Sequence, residues 1–426
     1  MEHREVALLA VGAGPGNLAV AVAVEELAPD AYARDALVIE QAETVAWQRG
    51  MLLPGVQSQV SFLKDVATLR NPLSRFTFVN YLHETGRLSQ FVNLGRVTPY
   101  RVELSDYFHW VAASLAKVRV ECSQRCVALT PRRAGDGPVT GWVAHLADGS
   151  TIGCRHLVVG AGREPNVPAA FAALPPRHVI HSAEYRGRIA AVPRGVPQRV
   201  VVIGGAQSAA EMFDAVQHDL PGCHRTIAMR SIAMRTYENS KFTNEHYFPS
   251  AVDDYYGAGP AARRQILGEM HLTNYSALAE HTLESIYEQL YLDRLSGKGQ
   301  LQVLTMVDVT DARHESGEVV LELTDRRTGR RDVLRCDLVL LGTGFRRDPP
   351  PLVRGLADRL GLARITVNRN YRLDLPDADG AACYLVGVNE ATHGISDSLL
   401  SMMAPRAADI VGDLLADLRD AASTKE

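Results

Sequence analysis

The stretch Glu5-Val-Ala-Leu-Leu-Ala-Val-Gly12-Ala-Gly14-Pro-Gly16-Asn17-Leu18 decides the fold. An apolar run ends in a glycine-rich turn, and an apolar helical pattern follows from Leu18 to Leu27. Strand, glycine turn and helix in that order open a dinucleotide-binding βαβ unit. Gly12 permits the tight turn and Gly14 lets backbone approach a pyrophosphate; Gly16 belongs to the same cradle, and the third fingerprint position is Asn17. The helix N-terminus offers free N–H groups and partial positive charge to the phosphates. About twenty residues on, a second apolar strand, Ala36-Leu-Val-Ile39, ends in Glu40, a carboxylate suited to ribose hydroxyls. The alternative is a plain glycine turn in another kind of α/β domain.

The chain has 426 residues, enough for two or three domains with separate cores. Its formal net charge of -4 gives no footprint for nucleic acid or an anionic membrane. The six cysteines form no CxxC and no metal spacing, which points to reduced thiols and a cytoplasmic protein. The first strand begins near Glu5, leaving no room for a signal peptide, and no apolar run has membrane-spanning length. The residues after Asp417 read as a fraying tail.

Residues 41–110 break the βαβ rhythm with Trp47-Gln-Arg-Gly-Met51, Ser58-Gln59-Val-Ser-Phe-Leu-Lys64-Asp65 and Leu69-Arg-Asn-Pro72. Helices are expected over Phe76–Glu84, stopped by Gly86, and from an N-cap at Ser105 to Leu115. Such an aromatic and polar insertion, directly after the ribose-binding strand, suits groups that face a cofactor. A β meander follows over 118–158, with separate strands expected at Thr151-Ile152 and from His156. The latter ends in the exit Gly160-Ala-Gly-Arg-Glu-Pro165, and a similar exit recurs at Cys336-Asp-Leu-Val-Leu-Leu-Gly342-Thr-Gly344-Phe345.

Between the two exits sits a second fingerprint: strand Arg199–Ile203, turn Gly204-Gly205-Ala206-Gln207-Ser208, and a helix through Val216. One nucleotide domain is thus inserted into another, the plan of a flavoprotein that carries FAD and is reduced by a nicotinamide nucleotide. The middle glycine is replaced by Ala206, whose methyl crowds a pyrophosphate. The next strand, Thr226-Ile-Ala-Met-Arg230, ends without an acid; Arg230 and Arg235 stand there, which favours NADPH through its 2′-phosphate. The alternative reading of both arginines is ordinary surface charge. The expected fold is therefore α/β, with two Rossmann-like domains. FAD binding is assigned to 1–166 and 336–426, NADPH binding to 167–235 and 298–335, and a helical substrate-binding excursion to 236–297. Within that excursion Thr273-Asn274-Tyr275-Ser276 is expected to begin a helix through Tyr291, and a last helix is expected from Ser398, capped by Ser396 or Asp397.

The motifs taken together resemble the flavin-dependent amine N-hydroxylases that act on ornithine or lysine. The resemblance rests on Gln59 with Phe62-Leu-Lys64-Asp65, Leu69-Arg-Asn-Pro72, Phe78-Val-Asn-Tyr-Leu82, Ser105-Asp-Tyr107, the second fingerprint, Phe242-Thr-Asn244-Glu245, Thr273-Asn-Tyr-Ser276 and Thr392-His-Gly-Ile-Ser396-Asp397. It covers nearly the whole chain and is closer to the ornithine than to the lysine enzymes. It implies N5-hydroxylation of L-ornithine through a C4a-hydroperoxyflavin, with FAD, NADPH and O2, for siderophore or other natural-product biosynthesis. It also implies a homo-oligomer, commonly a tetramer.

By the same resemblance Lys64 contacts the substrate carboxylate, Asn244 its α-amino end, and Asn274 the reacting nitrogen, while Ser396 closes that end of the site. Gln59 lies beside the isoalloxazine ring. Gln207, Ser208, Arg230 and Tyr275 contact NADPH. The chemistry of the residue types agrees: a cation suits a carboxylate, and asparagine accepts a hydrogen bond without holding the amine protonated as a carboxylate would. Taken singly, Lys64 also reads as a surface lysine, Asn274 as a helix cap, and His393 and Asp65 as structural groups. Ser58 stands where the family often has methionine, and Gly16 where a larger residue is frequent.

Rival readings keep the two-nucleotide plan. A disulfide reductase needs a redox CxxC, which is missing. Baeyer–Villiger and sulfur-oxidising enzymes carry a signature that His178-Val-Ile-His181-Ser-Ala-Glu-Tyr185 only echoes. N6-hydroxylation of lysine or of another amine, and a non-catalytic nucleotide-binding remnant, complete the set.

Overall fold

A computed structural model describes residues 2–196, 198–275, 277–375 and 377–423. The first sheet contains β1 (His3–Val11), β2 (Ala36–Ile39), β3 (Arg119–Glu121), β4 (Cys126–Arg133), β5 (Val139–Leu146) and β6 (Thr151–Val159) in the order β3-β2-β1-β6-β5-β4. β1 pairs in parallel with both β2 and β6, while β4-β5-β6 is antiparallel. The strands expected separately at Thr151 and His156 are one strand. Its first half pairs with β5 and its second half with β15 (Ala382–Leu385), so β6 changes partner midway without breaking.

Alternate residues of β1 enter two cores. Leu8 and Ala10 face α1 (Pro15–Leu27); Leu9 and Val11 face the opposite layer. A strand buried on both faces must be apolar throughout, which is why this run is continuous rather than alternating. α1 is likewise buried from Leu18 to Val24, and its alanines let it pack closely against the C-terminal helix.

The second sheet is all parallel: β7 (Val179–His181), β8 (Arg199–Ile203), β9 (His224–Met229), β10 (Leu301–Thr305) and β14 (Leu338–Leu341), in the order β10-β9-β8-β14-β7. The small antiparallel sheet β11 (Val307–Glu315), β12 (Glu318–Asp325) and β13 (Arg331–Cys336) covers one of its faces. β14 pairs with β7 and β8, so the segment 338–341 joins the second sheet and the chain returns to the first only after Gly342.

The helices between Glu40 and β3 are α3 (Phe78–Glu84), α4 (Leu88–Leu94) and α5 (Arg101–Ser114); α2 (Asp30–Arg34) precedes them. Thr77 caps α3 by accepting from the Asn80 N–H. α5 starts at Arg101 instead of after Ser105. The Ser105 hydroxyl accepts from the Trp47 N–H, so it pins the insertion to the helix instead of capping it. α6 (Tyr185–Ile189) and α7 (Gln207–Asp219) flank β8.

The segment 236–297 is helical as expected: α8 (Lys241–Glu245), α9 (Pro249–Gly257), α10 (Pro260–Glu269), α11 (His271–Asn274) and α12 (Glu280–Ser296). The helix expected to begin at Thr273 begins instead at Glu280, because Tyr275 is extended and ends α11; Ser276 lies outside the described residues. α12 packs on α7 and leads into β10, which makes it the crossover helix of the second sheet.

After α13 (Pro351–Leu360) and α14 (Glu390–His393), the last helix, α15, runs Met403–Ser423. It does not start at Ser398, because an extended Leu399 separates two short 3-10 turns ahead of it. It also continues helical beyond Asp417, where a tail was expected; Arg372 pairs with Asp417 at 2.7 Å.

Candidate functional site

The two glycine turns are built alike. Gly12 has φ 92°, and a Cβ there would lie 2.6 Å from the Gly160 carbonyl oxygen; Gly204 has φ 136° and abuts the Gly342 carbonyl in the same way. At Gly12 and Gly204 each fingerprint turn therefore meets its exit backbone to backbone. At the third position Asn17 donates to the carbonyls of Val11 (3.0 Å) and Gly12 (2.8 Å), tying helix to turn. Ala209 is its counterpart and sits against Gly342.

Space around Gly14 is open, whereas Gly16 faces inward: a Cβ on it would meet Val386 Cγ1 at 2.7 Å and Arg406 Nη2 at 2.9 Å. Gly16 therefore serves packing of α1 against the C-terminal segment, which explains the missing larger side chain. Ala206 caps α7 in an extended conformation (φ -113°, ψ -177°) that needs no glycine. Neither α1 nor α7 has a side-chain cap, so the N–H groups of Gly16 and Asn17 in the one and of Gln207 and Ser208 in the other remain for an anion. These turns fit the pyrophosphates of two dinucleotides.

Glu40 accepts from the N–H groups of Ala13 (2.9 Å) and Ala42 (3.0 Å), which holds the carboxylate beside the first turn. In the second, Gln207 accepts from the Ala279 N–H (2.8 Å) and donates to Glu211 (2.8 Å). Ser208 stands in the same turn of α7, and Arg230 is exposed just beyond β9. Glu211 in turn forms a buried ion pair with Arg101 of α5, joining the two halves directly beneath the second cradle.

Gln59 is exposed and lines a cleft of about 320 Å³ together with Gln57 and Thr98 from the first half and Tyr237, Asn239 and Ala279 from the second. The cleft thus lies where the two nucleotide halves face each other. Burial pushes the Tyr237 phenol up to about 12, so it remains a proton donor.

Lys64 is half-buried and donates to the Ser401 hydroxyl at 3.1 Å; burial lowers its pKa. It is not an idle surface lysine. Its neighbour Asp65 is buried and accepts from the N–H groups of Ala67, Thr68 and Phe78 and from the Thr68 hydroxyl. That pattern is structural: Asp65 fixes the loop that presents Lys64.

Asn244, in α8, is exposed and donates to the Asn239 carbonyl at 3.2 Å. Asn274 ends α11, and the next residue, Tyr275, donates to Glu390 at 2.7 Å. Ser396 is buried in a 3-10 turn after Gly394. A small apolar cluster of Tyr247, Met270 and Ile395, with Tyr275 and Leu399 against it, packs the helical segment onto this turn. The structure thus gathers the Asn274 corner and the Ser396 turn, and Lys64 reaches the same C-terminal segment through Ser401. His393 is stacked on Tyr371 (4.0 Å between ring centres), and its Nε2 lies 3.1 Å from the Arg369 carbonyl oxygen, a structural role.

Sequence reasoning missed Ser401, Glu390, Arg101 and Arg406. Glu390 and Ser401 stand just before and just after the segment Thr392–Asp397, a nearness that gives no sign of their contacts; Arg101 and Arg406 had no local signal. Arg406 donates to the Asp397 backbone carbonyl and pairs with the Asp397 carboxylate at 3.4 Å, both side chains buried. Asp397 also accepts from the Asn389 N–H at 2.7 Å, so it organises the turn that holds Ser396 and does not cap a helix. Among the described residues no cluster of metal-ligating side chains occurs and no helix is long and apolar enough to cross a membrane.

Residues 4–347 match the family model described as L-lysine 6-monooxygenase/L-ornithine 5-monooxygenase. An L-ornithine N(5)-oxygenase from Arthrobotrys oligospora is 37% identical over 424 residues, spanning 95% of this chain and 87% of the relative. Among solved structures, the ornithine hydroxylase from Pseudomonas aeruginosa superposes with a TM-score of 0.90 at 33% identity, over 97% of this chain and 100% of that one. An ornithine N-hydroxylase from a Kutzneria species, solved with reduced FAD, NADP+ and L-ornithine, gives 0.90 at 31% identity, over 97% of this chain and 99% of that one.

Proposed function

Because this chain belongs to the L-lysine 6-monooxygenase/L-ornithine 5-monooxygenase family, we propose that it hydroxylates N5 of L-ornithine with FAD, NADPH and O2, yielding N5-hydroxyornithine for siderophore or related biosynthesis. The relatives named for ornithine, similar over nearly their whole length, support the substrate. The observation that carries the reading is Lys64: a half-buried cation presented by the Asp65 loop and turned toward the segment that holds Ser396.

In this reading Gly12, Gly14 and Glu40 hold FAD, with Gly16 acting through packing. Gly204, Gln207, Ser208 and Arg230 hold NADPH, and Gln59 stands in the cleft between the two cofactors. Bound FAD, reduced by NADPH, activates O2 and supplies one oxygen atom to the amine. The chain's own residues place the acceptor. Lys64 binds the α-carboxylate, Asn244 the α-amino end, and Asn274 accepts from the side-chain nitrogen while leaving it uncharged. Ser396 closes that end, and Tyr275, next to Asn274, contacts NADPH. The division of labour follows the sheets: FAD with the first sheet and the chain after Gly342, NADPH with the second, and substrate with α8–α11.

The reading includes a homo-oligomer, a tetramer by family resemblance, in the cytoplasm. Six free cysteines suit a reducing compartment, and the exposed Leu73, Val92 and Val97 supply apolar surface near α3 and α4. The test is an amine panel scored by hydroxylamine formed, because NADPH loss also counts uncoupled peroxide release. Ornithine as the preferred substrate is expected; preference for lysine or another amine, or flavin-free protein after reconstitution, overturns it.

A further inference from the structure

The Glu390 carboxylate gathers three side chains from three separate segments. Tyr275 donates its hydroxyl to Oε2 at 2.7 Å. Arg163, in the loop that follows β6, lies 3.5 Å from Oε2, and Arg347, in the loop that follows β14, 3.8 Å from Oε1. The Arg347 guanidinium also sits over the Tyr275 ring, 4.9 Å from its centre. Arg163 Nε donates to the Gly387 carbonyl at 3.3 Å, on the approach to α14. The carboxylate is largely sheltered, with 14% of its side chain exposed, so these contacts are not washed out by solvent.

This convergence has a geometric result. Tyr275 directly follows Asn274, and Glu390 lies one helical turn before Gly394 and Ser396. The two loops begin at Gly160 and Gly342, against which Gly12 and Gly204 pack. One carboxylate therefore registers the Asn274 corner against the Ser396 turn and against both exits. Two flanking guanidiniums outweigh its single negative charge, so it does not favour a protonated amine nearby.

We propose that Glu390 is a positioning residue, which fixes Asn274 at the reacting nitrogen by accepting the Tyr275 hydroxyl. The assignment rests on the functional reading above, in which Asn274 holds that nitrogen. It makes no contact with substrate itself, so its loss acts on ornithine KM and on coupling (hydroxylamine formed per NADPH oxidised).

The experiment measures both quantities on FAD-loaded enzyme. Glu390→Ala is expected to raise ornithine KM about tenfold, the equivalent of one net hydrogen bond, and to lower coupling, with FAD content kept at one per chain. Glu390→Gln, which still accepts from the phenol, recovers most of both. Tyr275→Phe added to Glu390→Ala raises KM no further, since both changes break the same contact. Unchanged KM and coupling in Glu390→Ala overturn the proposal, as do additive losses in the double variant or a Glu390→Gln as impaired as the alanine. Should Glu390→Ala emerge without flavin, Tyr275→Phe alone decides: a KM raised by the same factor supports the assignment, and an unchanged KM overturns it. Wild-type enzyme that forms no hydroxylamine from ornithine overturns the functional reading and this assignment together; a working wild type with an unaffected Glu390→Ala overturns this assignment alone.

Discussion

Arg101 and Glu211 exchange two hydrogen bonds of 2.7 Å, one from each terminal guanidinium nitrogen, and both side chains are buried. One comes from the insertion before β3 and the other from the helix of the second cradle. Removing one partner leaves a buried charge unpaired, so Arg101→Met is expected to cost about 3–5 kcal/mol in urea denaturation of the holoenzyme. Arg101→Met with Glu211→Leu removes both charges and recovers most of that stability. Its KM for NADPH stays raised, because Gln207 has lost the Glu211 oxygen that orients its amide. A double variant as unstable as the single would mean that packing, not charge, is what the site requires.

The paired glycine turns separate the two cofactors experimentally. Gly12 and Gly204 both sit at positive φ against an exit-strand carbonyl, so alanine is strained at either position. A strain of about 1–2 kcal/mol moves a cofactor affinity by about tenfold or more. Gly12→Ala is expected to lower FAD content, read from flavin absorbance per chain. Gly204→Ala is expected to retain flavin and raise the NADPH concentration needed to reduce it. Loss of flavin from Gly204→Ala would show that the two turns do not act separately.

Much of this architecture was legible because it is local. The runs 36–39 and 199–203 are strands to the residue, since an apolar run followed by an acid or a glycine turn carries its own boundaries. Boundaries set by distant contacts were not legible. Ser105 has the chemistry of an N-cap, yet its hydroxyl is taken by Trp47. Ser396 and Asp397 also look like caps, yet Asp397 turns toward Asn389 and Arg406. The sheet membership of 338–341 depends on pairing with strands more than a hundred residues earlier. At the site, Lys64 and Asn274 could be singled out by motif. Their supports could not: Ser401 is 337 residues from Lys64, and Glu390 is 115 from Tyr275.

Acid stability has a specific contributor in His156. The ring is fully buried, the Tyr32 hydroxyl lies 2.7 Å from Nδ1, and burial pushes its pKa from 6.5 down to about 4. The unfolded chain therefore takes up this proton first. The stabilisation is complete above pH 6.5 and is lost as pH falls from there through 4, up to about 3 kcal/mol. His181 and His393, whose pKa values are also lowered by burial, act in the same direction. His156→Gln is expected to be less stable at neutral pH and to lose less stability between pH 6.5 and 4 than the wild type. An acid limb of unchanged slope would assign the effect to other groups.

Lys64 ties pH to substrate affinity. A charge-assisted hydrogen bond contributes about 1.5–3 kcal/mol, so Lys64→Ala is expected to raise ornithine KM by about 10- to 150-fold with flavin content unchanged. Burial lowers the lysine's pKa below its ordinary 10.5, so the cation is lost earlier on the alkaline side than for an exposed lysine. As pH rises through that value the carboxylate loses its partner and KM climbs, even while the substrate's own amine becomes neutral and more nucleophilic. The two effects oppose each other, and kcat/KM should pass through a maximum. Lys64→Arg keeps its charge over the whole range and should abolish the alkaline rise in KM, whatever it does to KM at neutral pH. If KM rises equally in wild type and Lys64→Arg, the titrating group is elsewhere and Lys64 does not bind the carboxylate.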